Sequence, residues 1–357
     1  MSDRSGRYEL QIMEAERPDR RRLLVWLIES AMTADGGVLS WVNAEHPGYR
    51  YPEAAGLLLA LLVQEIDGGP PVLGPRTLMQ RDQCLRIFGT LCADIDSQGA
   101  LGRGGVGYLF DSGIVLHAFL RLRDRLQEGI DDGERARVEA AIEPVYKYVL
   151  GAISARRPIT SEPSATPRWS DSWGCHLLKL ALPLSAYARA FGDARPVAAI
   201  RRLLSDMMPL ADGGRFVVHR GSRRTYVHAC CYAAEGLLAI DPSIDARARV
   251  SAVATATWLA TIQKPDGAVP AWHDGIRGEG PYPADVVAQC VRLWVAIDRR
   301  RFATEIARGL TCLAAFQTPA GGLRYSRRSD DINTWATIFA AQAVAWADGD
   351  RRARWLV

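Results

Sequence analysis

The chain has 357 residues, with 44 Lys and Arg, 40 Asp and Glu, and a formal net charge of +4. Apolar residues make up 48% of it and charged residues 24%, a balance typical of a soluble globular protein with a buried core. The small net charge argues against a nucleic-acid-binding protein, and no apolar run reaches the ~18 residues of a membrane span.

The N-terminal stretch MSDRSGRYELQIMEAERPDRRR is polar and mixed in charge, which excludes a secretory signal. Seven cysteines in a chain without such a signal indicate reduced thiols and a cytoplasmic protein. No low-complexity tract marks a linker. We therefore predict that residues 1–357 form a single domain, in which residues 1–20 are an N-terminal extension.

One motif recurs six times: an aromatic or polar start, a short polar residue, and then a run of apolar and small residues. The copies read YPEAAGLLLALL, LFDSGIVLHAFL, RWSDSWGCHLLKLALPL, YVHACCYAAEGLLAI, YPADVVAQCVRLWVAI and DDINTWATIFAAQAVAW. Their polar anchors are Glu53, Asp111, Asp171, His228, Asp285 and Asn333, separated by 58, 60, 57, 57 and 48 residues. Such even spacing indicates an internal repeat.

A second set of segments lies between these copies and is amphipathic at the helical period. It comprises RRLLVWLIESAM, QCLRIFGTLCADI, RVEAAIEPVYKYVLGAI, VAAIRRLLSDMMPLA, SAVATATWLATIQ and FATEIARGLTCLAAFQ. Glycine turns such as DGGVLSW at Asp35 and PAGGLRYS at Pro319 follow most of them, whereas the third repeat has ARRPITSEPSATPRW instead. Each unit is thus an outer helix, a glycine turn, a loop and an inner helix.

This pattern predicts an all-α fold, an (α/α)6 toroid with six helical hairpins and an inner ring of parallel helices. Short glycine-turn β-hairpin loops are expected at one mouth of the ring. The inner segments are apolar nearly all round, which is typical of helices that are buried on every face. An open solenoid is the alternative, but it needs polar caps, and the last inner segment, TWATIFAAQAVAW, is as apolar as the others.

Parallel inner helices place all their N-termini, with their partial positive charge and unpaired N–H groups, at one mouth. The loops there add Arg50, Arg103, Arg168, Arg220, Arg223, Arg224, Arg277, Arg324, Arg327 and Arg328. Such a rim favours an anionic ligand, although any one loop arginine is equally explained by a local ion pair. The predicted substrate-binding residues are Arg50, Tyr51, Asp111, Trp173, Arg224, Tyr226, Tyr282, Arg327, Asp331 and Trp335.

Four of the polar anchors are predicted to be catalytic: Glu53, Asp171, His228 and Asp285. Groups that face each other across a ring suit general acid–base chemistry. An acid at a helix start also serves as a cap, which is the competing explanation for Asp111 and Asp285. That explanation is weaker for Glu53 and His228, because Glu and His are poor N-caps.

Cysteine and histidine occur together on two inner segments, as Cys175-His176 and as His228 with Cys230 and Cys231. Thiolates and imidazoles from neighbouring helices are zinc ligands. Buried free cysteine is nonetheless common and no C-x-x-C pair is present, so no cofactor is expected and zinc is the alternative. Glu235, seven residues after His228, is expected to pair with an arginine or to orient His228.

With six such units across almost the whole chain, the sequence resembles the six-hairpin toroids of glycan-processing enzymes. These include the N-acylglucosamine 2-epimerases, unsaturated glucuronyl hydrolases and uronate epimerases. The resemblance implies a saccharide bound at the mouth, with acids, His and Tyr from several repeats transferring protons. It is architectural, since no family signature matches residue by residue.

A weaker resemblance is to the terpene cyclase and protein prenyltransferase toroids, because ATIQKPDGAVPAW (Gln263, Asp266, Gly267, Trp272) is similar to their repeat turn. Their D-x-D-D and D-D-x-x-D motifs are missing here. Cys175-His176 is similar to the Cys-His zinc pair of lanthipeptide cyclases, without the glycines that accompany it there.

The leading hypothesis is an enzyme that acts on an anionic or amino sugar, or on a glycan that carries one, in carbohydrate metabolism or polysaccharide biosynthesis. Hydrolysis, elimination and epimerisation remain open. The alternative is an isoprenoid cyclase or transferase that binds a diphosphate at the arginine rim. The third possibility is a toroid that binds a glycan or peptide without chemistry. The expected partner is a small-molecule or oligosaccharide substrate, and the oligomeric state remains open.

Overall fold

The computed structural model describes residue 12, residues 14–46, 48–66, 77–126, 132–162 and 168–350, and residue 356. Most of the N-terminal extension predicted for residues 1–20 lies outside these ranges. The single-domain prediction for residues 1–357 stays a prediction. None of the described helices is long and apolar enough to cross a lipid bilayer.

Twelve α-helices, counted over the described residues, alternate between an outer and an inner ring. The outer helices are α1 (Arg20–Trp26, continued by a π-helix at Leu27–Ala31), α3 (Thr77–Ala93), α5 (Asp132–Ala155), α7 (Arg195–Met207), α9 (Arg247–Ile262) and α11 (Ala303–Ala314). The inner helices are α2 (Pro52–Ile66), α4 (Leu109–Leu126), α6 (Ala181–Phe191, after a 3₁₀-helix at Cys175–Leu180), α8 (Val227–Leu238), α10 (Ala284–Asp298) and α12 (Thr334–Ala347). The predicted all-α, (α/α)6 toroid is confirmed.

The inner helices are buried on every face, as their composition requires. In α10 every residue from Ala284 to Trp294 is buried. The outer helices bury one stripe only: α7 buries Ile200, Leu203 and Met207, while Arg201 and Arg202 face solvent. Each outer helix thus separates the inner ring from water.

The ring is closed, because the last inner helix packs against the first. Helix α12 contacts α2 as well as α10. Strand β1 (Trp41–Val42) also pairs antiparallel with β9 (Ile332–Asn333), with Trp41 opposite Asn333. The open-solenoid alternative is therefore wrong.

The glycine turns pack against the outer helix of the next unit. Gly267 has φ 83°, and a Cβ there would lie 2.1 Å from the carbonyl oxygen of Arg308 in α11. Gly321 has φ 111°, and its Cβ would lie 2.5 Å from the carbonyl oxygen of Arg22 in α1. Only glycine combines positive φ with so close a backbone approach. The turn at Gly321 thereby joins the sixth unit to the first.

Short strands form the loops at the mouth. The pairs are β2 (Gly102–Arg103) with β3 (Val106–Gly107) and β4 (Ala211–Asp212) with β5 (Arg215–Phe216). A three-stranded sheet joins two units through β6 (Thr225–Tyr226), β7 (Trp272–His273) and β8 (Gly278–Glu279). Part of the divergent third-repeat loop, residues 163–167, lies outside the described residues.

A set of fully buried polar side chains, here called the inner network, crosses the ring: Lys179, Glu235, Arg292, Gln342 and Gln64. Lys179 Nζ donates to Glu235 Oε2 over 2.8 Å, and Arg292 donates to the other oxygen of the same carboxylate. Arg292 Nη1 donates to Gln342 Oε1 (2.9 Å), and Gln342 Nε2 to Gln64 Oε1 (3.3 Å). Glu235 therefore pairs with cations, and the expectation that it orients His228 is wrong.

Candidate active site

Four predicted polar side chains lie in the first turns of inner helices, at the mouth where the parallel N-termini meet. This mouth cluster consists of Glu53 in α2, Asp111 in α4, His228 in α8 and Asp285 in α10. Each is buried, between 2% and 6% exposed. Buried ionisable groups are costly unless paired, so their partners determine what they can do.

Glu53 is held by hydrogen bonds from neighbouring inner helices. The Tyr232 hydroxyl donates to its Oε1 over 2.9 Å, and the side chain of Trp335 also hydrogen-bonds to the carboxylate. Burial raises the pKa of Glu53, while the charge of His228 and these two hydrogen bonds lower it. Burial thus disfavours the ionised form of Glu53, whereas the hydrogen-bond donors around the carboxyl group favour that form.

Asp111 has fewer partners. Its Oδ2 has no hydrogen-bond partner among the described residues, although the hydroxyl of Tyr51 hydrogen-bonds to the carboxyl group. Burial, and then the charge of Glu53, raise the pKa of Asp111 well above its ordinary value of 3.8. Two neighbouring buried carboxyls do not both ionise readily, and the pKa of Asp111 is raised further above its ordinary value than that of Glu53.

His228 and Asp285 form a second pair in the mouth cluster. His228 Nδ1 lies 2.9 Å from Asp285 Oδ2, close enough for an ion pair. Asp285 Oδ1 has no hydrogen-bond partner among the described residues. His228 Nδ1 likewise makes no hydrogen bond among the described residues, so the two groups meet as neighbouring charges without an aligned hydrogen bond.

These contacts decide between capping and chemistry at the helix starts. The N-cap of α10 is Pro283, and Asp285 contacts His228 instead of the helix backbone. The anchor Asn333, in contrast, is an N-cap, because its side chain accepts from the N–H of Ala336. The capping explanation offered for Asp285 is therefore wrong, whereas Asn333, for which it was not offered, is a cap.

A second imidazole lies beside the mouth cluster. His176 is fully buried, and neither of its ring nitrogens has a partner within the described ranges. Its ring is 5.3 Å from Phe110 and 5.2 Å from Trp169, centroid to centroid. Burial lowers the pKa of His176 to about 3, so this imidazole is neutral and able both to donate and to accept. The sequence had marked it only as a metal candidate.

Aromatic rings cover the mouth cluster. Tyr51 packs edge-on against Trp335 at 5.4 Å, and Trp169 packs against Tyr226 at 5.1 Å. Tyr226 also lies 4.7 Å from Trp272 and donates a hydrogen bond to Tyr325. Such rings offer flat apolar faces and polar edges, which suit a ligand that has both apolar and polar surfaces.

Asp171, the remaining predicted catalytic residue, lies at the edge of the cluster. It is half-buried in a 3₁₀ turn, Trp169–Asp171, rather than in the inner helix itself. Ser170 Oγ donates to its Oδ1 over 3.1 Å. Its charge reaches Asp111, whose pKa it raises slightly. The predicted convergence of Asp171 with the other anchors is thus only partial.

Several predicted substrate-binding residues face other partners instead of the mouth cluster. Arg50 pairs with Asp35, Trp173 Nε1 donates to Asp206, and Asp331 accepts from Asn43. Arg224 pairs with Glu279 at the rim and lies over the ring of Trp272. Tyr282 and Arg327 line a separate cavity. Local acids thus neutralise much of the arginine rim.

The cysteines do not assemble with histidine into a metal site. Within the described residues there is no group of three or more His, Cys, Asp or Glu side chains able to hold a metal ion. Cys175, Cys230 and Cys231 are buried free thiols, and Cys231 Sγ lies 3.9 Å from Cys290 Sγ. Burial raises the pKa of each of the three thiols, which opposes the thiolate that zinc requires.

No protein-family model and no curated protein matches this chain. Solved structures do match, over nearly the full length of both chains. A sugar epimerase from a ruminal bacterium aligns with a TM-score of 0.68 at 9% identity, over 95% of this chain and 98% of that one. The two proteins share the (α/α)6 toroid fold.

Two further structures agree with this comparison. An unsaturated glucuronyl hydrolase specific for heparin aligns with a TM-score of 0.66 at 11% identity, over 96% of this chain and 97% of that one. Cellobiose 2-epimerase from Bacillus thermoamylovorans B4167 aligns with a TM-score of 0.66 at 9% identity, over 96% and 100%. At such identities the likeness establishes the (α/α)6 toroid and leaves the activity to the side chains.

Proposed function

We propose that this protein is a carbohydrate-active enzyme that hydrolyses a glycosidic bond at the toroid mouth. The observation that carries the proposal is the neighbouring pair of buried carboxyls, Asp111 and Glu53, in unlike environments. Burial raises the pKa of both carboxyls, that of Asp111 more strongly; Asp111 has an unpartnered oxygen, whereas Glu53 is held by two hydrogen-bond donors that favour its ionised form. A proton donor beside a proton acceptor is the arrangement that glycoside hydrolysis uses.

In this mechanism Asp111 is the general acid. Its proton passes to the glycosidic oxygen as the bond to the anomeric carbon breaks. A water molecule attacks that carbon and gives its proton to the carboxylate form of Glu53, which hydrogen bonds from the Tyr232 hydroxyl and Trp335 stabilise against burial. The proton gained by Glu53 and the one lost by Asp111 exchange with solvent afterwards. The cycle needs no further reactant.

The aromatic cover provides the platforms for the sugar rings. Tyr51 and Trp335 hydrogen-bond to Asp111 and Glu53, Trp169 and Tyr226 pack against His228, and all four rings are partly exposed. Because Glu53 and Asp111 are themselves at most 6% exposed, substrate entry requires these rings to part. The structural neighbours support a carbohydrate substrate, since the epimerases and the glucuronyl hydrolase named above act on sugars.

The second candidate is epimerisation through proton abstraction. It is favoured by the His228–Asp285 pair, because an imidazole beside a buried carboxylate is suited to act as a general base. The neutral His176 nearby is the candidate partner that returns the proton to the opposite face. Here Asp111 and Glu53 would bind sugar hydroxyls.

The two reactions are separated by incubation in deuterium oxide with a panel of aryl glycosides, disaccharides and reducing sugars. Hydrolysis releases a new reducing end without deuterium on carbon, whereas epimerisation incorporates deuterium at the inverted carbon. The hydrolase proposal requires turnover that Asp111→Asn and Glu53→Gln both abolish. Full turnover in either variant with an intact fold would refute it.

The isoprenoid and non-catalytic alternatives remain predictions that the same panel addresses. For the isoprenoid hypothesis, farnesyl diphosphate is added to the panel. Product formation from it, with none from any saccharide, would favour that hypothesis. Saturable saccharide binding without turnover, unchanged in Asp111→Asn, would favour a binding toroid. Buried acids and imidazoles at the mouth favour proton transfer over passive binding, because a passively bound ligand does not require them.

A further inference from the structure

A cavity of about 630 Å³ opens between the fifth and sixth units of the ring. Its walls come from the turn after α9 (Lys264–Ala268), the segment before α10 (Gly280–Tyr282) and the loop before α12 (Ser326–Arg328). This side cavity is within the size range of small-molecule sites. The proposed hydrolysis does not use it.

The side cavity carries an excess of positive charge. Lys264, Arg327 and Arg328 line it, against one carboxylate, that of Asp266. Arg327 Nη2 lies 3.1 Å from Asp266 Oδ2, but these side chains are 66% and 50% exposed. An exposed pair of this kind contributes at most ~1 kcal/mol. An incoming anion therefore displaces it at little cost.

Apolar and hydroxyl groups complete the lining. Lys264 Nζ lies 5.0 Å from the centroid of the Tyr282 ring, in cation–π range. Phe316 forms part of the wall and is buried. Ser326, also buried, supplies a hydroxyl. The ligand that matches this surface has an anionic group attached to an uncharged ring.

The side cavity is connected to the mouth cluster by two short pieces of chain. Tyr282 precedes Asp285 by three residues, which span at most about 11 Å. Ser326 directly follows Tyr325, whose hydroxyl accepts from Tyr226 over the mouth cluster. The side cavity and the mouth cluster are therefore neighbours along both segments.

We propose that the side cavity binds the anionic group, a carboxylate, sulfate or phosphate, of a saccharide whose reacting unit occupies the mouth. The inference rests on the proposed carbohydrate function and specifies its substrate class as an acidic oligosaccharide. It assigns Lys264, Arg327 and Arg328 to charge recognition. Lys264 was not among the residues selected from the sequence.

The test is isothermal titration calorimetry on the full chain with glucose 6-phosphate, glucuronate, inorganic phosphate and glucose. We expect the phosphorylated sugar or the uronate to bind more tightly than glucose, and Lys264→Ala or Arg327→Ala to weaken that binding about tenfold or more. Arg247→Ala is the matched control, since Arg247 is 79% exposed and also pairs with an aspartate, Asp245, at 2.7 Å. Arg247→Ala is expected to leave the affinity for the charged sugar unchanged.

Equal affinity for the charged and the neutral sugars, or unchanged affinity in both cavity variants, would overturn the inference. Inorganic phosphate that binds as tightly as glucose 6-phosphate would also overturn it, because the sugar ring would then play no part. The readout is binding, so it does not depend on turnover. Asp111→Asn, which removes the proposed acid, is expected to bind the charged sugar normally, and failure of hydrolysis alone would leave this result intact.

Discussion

The inner helices carry two buried polar layers that differ in how their charges are satisfied. In the inner network the Glu235 carboxylate receives Lys179 on one oxygen and Arg292 on the other. In the mouth cluster, about two helical turns nearer the N-termini, Asp111 and Asp285 each keep an oxygen without a hydrogen-bond partner among the described residues. Both layers are equally hidden from water.

The difference indicates what each layer is for. Paired buried charges fix the packing of neighbouring helices and become costly only when one partner is removed. Unpaired buried polar atoms cost free energy in the empty protein and are retained where a ligand pairs with them. The inner network is therefore expected to determine stability, and the mouth cluster to determine activity.

The largest expected effect is on stability, from Glu235→Gln. This change leaves the Lys179 and Arg292 cations facing a neutral amide, so the free energy of unfolding should fall by about 3–5 kcal/mol. Urea denaturation followed by circular dichroism measures the change. Glu279→Gln is the matched control: Glu279 pairs with Arg224 at 2.7 Å but is 37% exposed, so a loss below ~1 kcal/mol is expected. Equal losses of unfolding free energy in Glu235→Gln and Glu279→Gln would contradict the structural role of the inner network.

Asp111→Asn should have the opposite effect, because it should lower activity and not stability. Without the general acid, kcat/KM should fall about 100-fold or more, which is about 2.7 kcal/mol of transition-state stabilisation. Stability at neutral pH should rise, because the amide cannot ionise in a site that raises the pKa of the carboxyl. A loss of both activity and stability would assign Asp111 a structural role.

The pH dependence of that stability has a defined sign. The folded-state pKa of Asp111 lies above the ordinary value of 3.8, because burial and the charge of Glu53 oppose ionisation. The favourable contribution of Asp111 to the free energy of unfolding is complete below pH 3.8. It is lost as the pH rises through the folded-state pKa of Asp111. The difference in stability between Asp111→Asn and wild type should therefore grow from acidic to neutral pH.

A smaller effect is expected from Asp285→Asn. It removes the carboxylate beside His228 Nδ1 and should lower kcat/KM about tenfold, or about 1.4 kcal/mol. In a His228→Ala background the same change should have little further effect, since the two groups act as a unit. Additive losses in this double-mutant cycle would show that Asp285 acts independently of His228.

The smallest effect on activity should come from Lys179→Met, which tests whether the two layers communicate; its cost appears in stability, because it removes one cation from Glu235. Burial chiefly raises the pKa of Glu53, and the charge of Lys179 is a minor influence that lowers it. The variant should raise the pKa of Glu53 and move the acid limb of the pH–rate profile upward by less than about one pH unit. A shift downward would contradict the electrostatic link.

Lys179 itself limits this influence at high pH. Burial lowers its pKa from 10.5 to about 8, against the opposing attraction of Glu235. Its charge is therefore progressively lost above about pH 8. The wild type and Lys179→Met should differ most on the acid limb and converge on the alkaline side.

The ring of helical hairpins could be predicted from the sequence because its signals are local and repeated. Burial on all faces gives the inner segments their continuous apolar character, and the turn at Gly321 requires glycine because the backbone there has positive φ. The even spacing of Glu53, His228 and Asp285 likewise identified residues that share one mouth. Each of these signals depends on neighbouring positions in the chain.

The pairing of side chains across the ring could not be predicted in this way. Asp285 contacts His228, Asp111 keeps its oxygen unpaired, and Asn333 caps its helix, although all four are polar residues at similar positions of the repeat. Arg50 and Trp173 bond to outer-helix and turn acids because their side chains leave the mouth. The sequence by itself determined which segments are buried and which ends they share, since periodicity and glycine geometry are properties of the chain. Only the tertiary structure decided which charges meet, because pairing depends on distances of a few ångströms between helices that are far apart in sequence.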